Sequence, residues 1–159
     1  MTYHSVVAQL GQPTILVANA GVLCGKTMLD ASEEDLHRTF DVNVHGVIFC
    51  IKAFLPSMIA ANYGHILVTS SVTAYSTAAS VVDYSASKAA VTCIVEGLQT
   101  ELKHRYGNPR VKASAILPAM VKTRMHAGDD QGVSGFIMPM LEPAPVAARM
   151  LQVLSNGER

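Results

Sequence analysis

Tyr84 and Lys88 stand four residues apart in Asp83-Tyr84-Ser85-Ala86-Ser87-Lys88. That spacing puts both side chains on one face of a helix, one turn from each other. A phenol at its ordinary pKa of about 10 donates a proton at neutral pH and accepts one only when a nearby cation stabilises the phenolate. Lys88 can be that cation. Ser71, thirteen residues before Tyr84, has a hydroxyl that both donates and accepts, so it can hold a substrate oxygen within reach of the phenol. The trio suits moving a proton on or off an alcohol or carbonyl oxygen. Taken alone, a Tyr-x-x-x-Lys pair more often means a packed ring beside a solvated amine, so the case rests on what surrounds it.

The elements that must position these groups are read from periodicity. The runs 14–18, 65–70 and 111–118 are short and rich in Ile, Val and Leu, as fully buried parallel strands are. Between them lie longer helical patterns, the signature of βα units. Ser32 precedes Glu33, Glu34 and Asp35, which predicts a capped helix start. Leu36, Phe40, Val44, Val47, Ile51, Phe54 and Met58 then recur at steps of three and four, one apolar stripe that Pro56 should kink or loosen. Tyr84 and Lys88 head a second stripe with Val91, Val95, Leu98 and Leu102, which Gly107-Asn108-Pro109 ends. Residues 119–143 have no sustained period and read as a long loop before a last amphipathic helix near 145–154. Its methionines, Met120, Met125, Met138 and Met140, with Phe136 and Ile137, suit an adaptable apolar lid or a packing surface. Ligands of open parallel sheets bind at the carboxyl edge of the strands, where Asn19-Ala20-Gly21, Ser71, Pro118 onward and the Tyr84 end of its helix converge.

Composition narrows the classes. Half of the 159 residues are apolar and 15% are charged, with 12 basic against 12 acidic residues, so one globular domain is expected. No electrostatic case arises for nucleic acid or an anionic membrane as partner. Cys24, Cys50 and Cys93 are scattered and odd in number, which predicts reduced, buried thiols. His4, His37, His45, His65, His104 and His126 show no ligand spacing, so no metal is expected. No apolar run approaches the about 20 residues a membrane span needs, and no secretory signal is legible.

Ala18-Asn19-Ala20-Gly21, Asn43-Val44-His45-Gly46, Ser71, Tyr84, Lys88 and Pro118-Ala119-Met120-Val121-Lys122-Thr123 stand in an order that resembles the short-chain dehydrogenase/reductase family over nearly the whole chain. The resemblance implies a partial Rossmann-like, doubly wound α/β fold and NAD(P)-dependent hydride transfer between an alcohol and a ketone or aldehyde. It places the catalytic tetrad on Asn43, Ser71, Tyr84 and Lys88. Tyr84 is then the acid or base, Ser71 orients the substrate oxygen, Lys88 lowers the phenol's pKa and bonds the nicotinamide ribose, and Asn43 holds a water behind the lysine. Cofactor contacts fall on Asn19, Ala20, Gly21, Tyr84, Lys88, Val121 and Thr123. Two positions depart from the family pattern: Ala18 replaces the first asparagine of Asn-Asn-Ala-Gly, and Ala119 replaces the glycine of Pro-Gly.

The family's Thr-Gly-x-x-x-Gly-x-Gly turn, which brings backbone amides to the pyrophosphate, is not found before Ile15. The expectation is a single domain, 1–159, lacking the glycine-rich unit and the last edge strand, with binding of NAD or NADP weakened or lost. The three strands would be the family's fourth to sixth, and Ser5–Gly11 the end of the preceding helix. The alternative function is an inactive fragment that associates with a full-length subunit. Segments near 41–62 and 84–106 correspond to helices through which the family oligomerises. The retinol and 17-beta-hydroxysteroid dehydrogenase branch is the nearest in character, which implies a small lipophilic substrate. A cytoplasmic chain is expected, against endoplasmic reticulum or lipid droplets for full-length relatives.

Overall fold

In the computed structural model, which describes residues 3–107, 109–123, 125 and 140–158, three parallel strands form one sheet. They are β1 (Ile15–Ala18), β2 (Gly64–Thr69) and β3 (Val111–Ile116), in the order β1-β2-β3. Val17 lies beside Leu67, and Leu67 beside Ser114. Helix α1 (Tyr3–Leu10) precedes β1, as expected for Ser5–Gly11, and sets the Tyr3 ring edge-on against Phe54 at 5.2 Å.

Alternation along each strand divides the sheet into two faces. Leu16, Ile66, Val68, Val111 and Ala113 point toward α3 (Gly46–Ala60) and α4 (Val82–His104), where they meet Val47, Ile51, Val91 and Val95 in the main core. Ile66 and Val68 have no exposed surface, and each contributes about 1.5–3 kcal/mol of apolar burial. The opposite face is covered by α5 (Pro143–Asn156), whose Val153 is buried. The chain turns back after α5 at Gly157, left-handed with φ 60°, a conformation that glycine adopts without a Cβ penalty. There Lys112 Nζ donates to Gly157 O at 2.8 Å and Ser114 Oγ to Glu158 O at 2.5 Å, tying the end of α5 to β3.

Three expectations need correction. Strand β1 is not buried on both faces: Ile15 is 53% exposed and Val17 42%, because α5 packs against β2 and leaves their face of β1 uncovered. Of the cysteines, Cys24 and Cys50 are half-buried and Cys93 is exposed. Cys93 sits two residues from buried Val91, about 200° round the helix and therefore on its outer side.

The third concerns the long helix. Helix α2 (Glu33–Phe40) begins as expected, with Ser32 and Asp35 exchanging side-chain-to-backbone bonds in a capping box. It continues through a π turn at Asp41–His45 into α3, which runs past Pro56 to Ala60. The irregularity therefore lies at Asn43 and does not coincide with the proline. A π turn adds a residue to the turn and rotates the inward face, so the residues turned inward are Thr39 before it, Asn43 and Val44 within it, and Val47, Ile51, Leu55 and Met58 after it. Leu36 and Phe40 are left half-buried. The continuous path Glu33–Ala60 is also long and apolar enough, by length and composition, to cross a membrane, with a mean hydropathy of 1.6 over 18 residues. Here 33% of that stretch is buried inside the fold, and core helices commonly meet the same criterion.

Candidate active site

Parallel pairing brings the carboxyl ends of β1, β2 and β3 to one edge. After β1, Asn19 Oδ1 accepts from Thr69 Oγ1 at 2.8 Å, joining the first two strand ends. After β2, Ser71 is extended and caps a short 3-10 turn, Val72–Ala74, its Oγ accepting from Thr73 N at 3.2 Å. Val72 N donates to Pro118 O at 3.1 Å, so the segment leaving β3 starts beside Ser71.

Helix α4 places Tyr84 and Lys88 over this edge. Its backbone is held there at Lys88 O, which accepts from Ser70 Oγ at 2.9 Å and Thr92 Oγ1 at 3.0 Å. Lys88 is 3% exposed. Its Nζ donates to Thr69 O at 2.8 Å and lies 5.5 Å from the centre of the Tyr84 ring. The ammonium therefore lies over the ring. Burial raises the Tyr84 phenol above its ordinary value, and only its bond with Ser71 opposes that.

Burial brings Lys88 down from the ordinary 10.5 to about 8. A lysine with a lowered folded pKa leaves the unfolded chain holding more protons between the two values, so stability rises with pH across that window. Urea unfolding is accordingly expected to show stability climbing from about pH 8 to 10.5. The climb should flatten in Lys88→Met, and an identical pH dependence in the variant would contradict the buried charge.

Asn43 is fully buried in the π turn. Its Oδ1 accepts from Val22 N at 2.8 Å, and its Nδ2 donates to Val22 O at 3.0 Å and to Ser87 Oγ at 2.9 Å. Both amide hydrogens are thus spent on the protein, which leaves the side chain one Oδ1 lone pair for a water. The Val22 anchor holds Gly21 against the site: a Cβ built on Gly21 would lie 3.5 Å from both Asn43 Oδ1 and Lys88 Nζ, and 3.9 Å from Met125 Cε. A glycine here leaves a cradle beside the lysine that a Cβ would fill.

The structure therefore gathers Gly21, Asn43, Ser71, Tyr84 and Lys88, with Asn19 and Ala20 exposed beside them. Val121 and Thr123 follow β3 on the same edge, but Val121 is bridged to Leu141, and no hydrogen bond among the described residues joins either to the tetrad. Phe136, Ile137 and Met138 lie outside the described residues. Sequence reading missed Val22, Thr39, Thr69, Ser70, Asp83, Ser87 and Thr92, all polar or backbone partners of the site. Local spacing did not mark them, because the inward face of α4 mixes Asp83, Ser85, Ser87, Lys88 and Thr92 with its apolar residues.

Residues 1–133 match the short chain dehydrogenase family pattern. The chain belongs to that family, whose members use NAD(P). Human epidermal retinol dehydrogenase 2 is 32% identical over 151 residues, 94% of this chain and 48% of that protein. Human retinol dehydrogenase 10 is 37% identical over 158 residues, 98% and 46% of the two chains. Mouse 17-beta-hydroxysteroid dehydrogenase 13 is 33% identical over 152 residues, 95% and 48%. The chain spans about half the length of these curated relatives. Among solved structures, an alcohol dehydrogenase from Thermococcus sibiricus complexed with 5-hydroxy-NADP matches with a TM-score of 0.80 at 28% identity, over 96% of this chain and 61% of that one. A short chain dehydrogenase/reductase from Burkholderia phymatum in complex with NAD matches with a TM-score of 0.70 at 33% identity, over 74% and 42%. The three-stranded sheet and its helices are accordingly part of a Rossmann-type fold.

Proposed function

We propose that the edge bearing Tyr84 performs the proton half of an NAD(P)-dependent interconversion of a lipophilic alcohol with its ketone or aldehyde. The observation that carries this reading is the buried Lys88 amine beside Gly21, with the Tyr84 ring next to it and Ser71 hydrogen-bonded to the phenol. The donor set fits the nicotinamide ribose half of the cofactor: the Lys88 ammonium can donate to ribose hydroxyls, and Asn19, Ala20 and Gly21 leave the strand edge open beside it. When bound, the cofactor supplies the hydride acceptor for oxidation or the donor for reduction.

The protein's own groups handle the oxygen. In reduction Tyr84 gives its phenolic proton to the carbonyl oxygen, and in oxidation the phenolate takes the hydroxyl proton. Ser71 holds that oxygen by a hydrogen bond. Lys88 places positive charge beside the ring, which favours the phenolate that oxidation requires. The substrate class draws support from the likeness to retinol and hydroxysteroid dehydrogenases and from two apolar side chains exposed near the edge, Met125 and Leu141.

Saturation-transfer NMR with NADH and NADPH tests the reading, since it detects weak complexes. Saturation is expected on nicotinamide and adjacent ribose protons with at least one of the two, and should vanish in Gly21→Val, which fills the cradle. Saturation confined to adenine protons, or unchanged in Gly21→Val, would contradict it.

A further inference from the structure

Two hydrogen bonds of equal chain separation join the helix that carries Asn43 to the helix that carries Tyr84. Thr39 Oγ1 donates to Asp83 Oδ2 at 2.8 Å, and Asn43 Nδ2 donates to Ser87 Oγ at 2.9 Å, each spanning 44 residues. Thr39 and Asn43 are one turn apart, as are Asp83 and Ser87, so the bonds form a two-rung ladder. All four residues are buried, between 0% and 4% exposed. Tyr84 follows the first rung by one residue and Lys88 the second.

The second rung reaches the tyrosine directly. Ser87 Oγ donates to Tyr84 O at 2.6 Å. The direction of this chain is fixed by chemistry, because an amide nitrogen only donates and a carbonyl only accepts. Ser87 must therefore accept from Asn43 and spend its single hydrogen on Tyr84 O. Asn43 is itself locked by Val22 N and Val22 O. The strand-edge loop, the π turn and the backbone of Tyr84 are thus joined through consecutive bonds with no alternative orientation.

We propose that Ser87, together with the Thr39–Asp83 pair, is a positioning device for Tyr84, setting the height of its ring over the sheet edge relative to Ser71 and Lys88. It acts before any cofactor is present, since every bond in it is internal to the protein. The proposal rests on the reading of Tyr84 as the proton-transfer group, but its test does not need turnover.

The phenol of Tyr84, one of five tyrosines, is isolated by subtracting the ultraviolet pH titration of Tyr84→Phe from that of the unmodified chain. In Ser87→Ala and in Thr39→Val the Tyr84 titration is expected to move upward by roughly one pH unit, the size of one weakened hydrogen bond, as the ring loses its register with Ser71. Thr100→Val removes an exposed hydroxyl on α4 bonded only to Glu96 O and should leave the titration in place. Circular dichroism checks that each variant is folded; should Ser87→Ala unfold, Thr39→Val decides alone. An unmoved Tyr84 titration in the folded variants, or an equal movement in Thr100→Val, overturns the ladder. If Tyr84→Phe leaves turnover unchanged while the ladder variants still shift the titration, the dehydrogenase reading fails and the positioning device stands.

Discussion

Replacing Tyr84 by phenylalanine is expected to lower turnover of an alcohol or carbonyl substrate by roughly 100- to 10,000-fold, the usual contribution of a positioned acid or base. The ring fills the same space in the variant, and the hydroxyl lost is on a half-buried side chain, so stability should change by less than about 1 kcal/mol. A phenol raised by burial also fixes the sign of the pH dependence. Oxidation needs the phenolate, so its rate should climb as pH rises toward the phenol's pKa, while reduction, which needs the protonated phenol, should not climb over the same range. Steady-state rates in both directions, with thermal scans of the variant, check this. An unchanged rate in Tyr84→Phe would remove Tyr84 from the chemistry.

The second large effect is expected on stability. Asn43→Leu keeps the approximate volume but strips three hydrogen bonds from a fully buried position. Val22 N and Val22 O lose their partner, and Ser87 loses its donor. Each buried group so orphaned costs about 1–3 kcal/mol, and Val22, being half-buried, can recover part of this only if its loop moves out to water. A fall in Tm of roughly 5–15 °C is expected for a chain of this size, with faster amide exchange at Val22 and Gly21. A variant with unaltered Tm and unaltered exchange would show that Asn43 does not hold the loop.

The sequence made some of this legible and concealed the rest for identifiable reasons. The runs around Ile15, Ile66 and Val111 announced strands because a short, β-branched run flanked by helical patterns has few other uses. Tyr84 and Lys88 were legible because helical spacing is local. The π turn was not: the shift of phase between Thr39 and Val47 depends on an extra residue per turn, which periodicity averages away. Ser87 and Asp83 were hidden because their partners lie 44 residues off, and nothing local marks a buried hydroxyl. The exposure of Ile15 and Val17 likewise depends on where α5 lands, a tertiary fact. Cys93 was the recoverable error, since its offset from Val91 already put it outside.

Lys88 and Ser71 meet Tyr84 at different places. Its ammonium contacts Thr69 O and the ring face, while Ser71 acts on the hydroxyl itself. A buried amine lowered to about 8 is only partly charged under alkaline conditions, so ribose binding should weaken above that value and set an upper limit to the climb in oxidation rate.

The most direct measurement follows hydrogen itself. A lipophilic secondary alcohol deuterated at its carbinol carbon is incubated with the chain and NAD or NADP, and the recovered nicotinamide ring is examined by mass spectrometry. If this edge is a dehydrogenase site, deuterium appears in the ring with the unmodified chain and is lost in Tyr84→Phe. Absence of deuterium from the ring, or equal transfer by Tyr84→Phe, would contradict it.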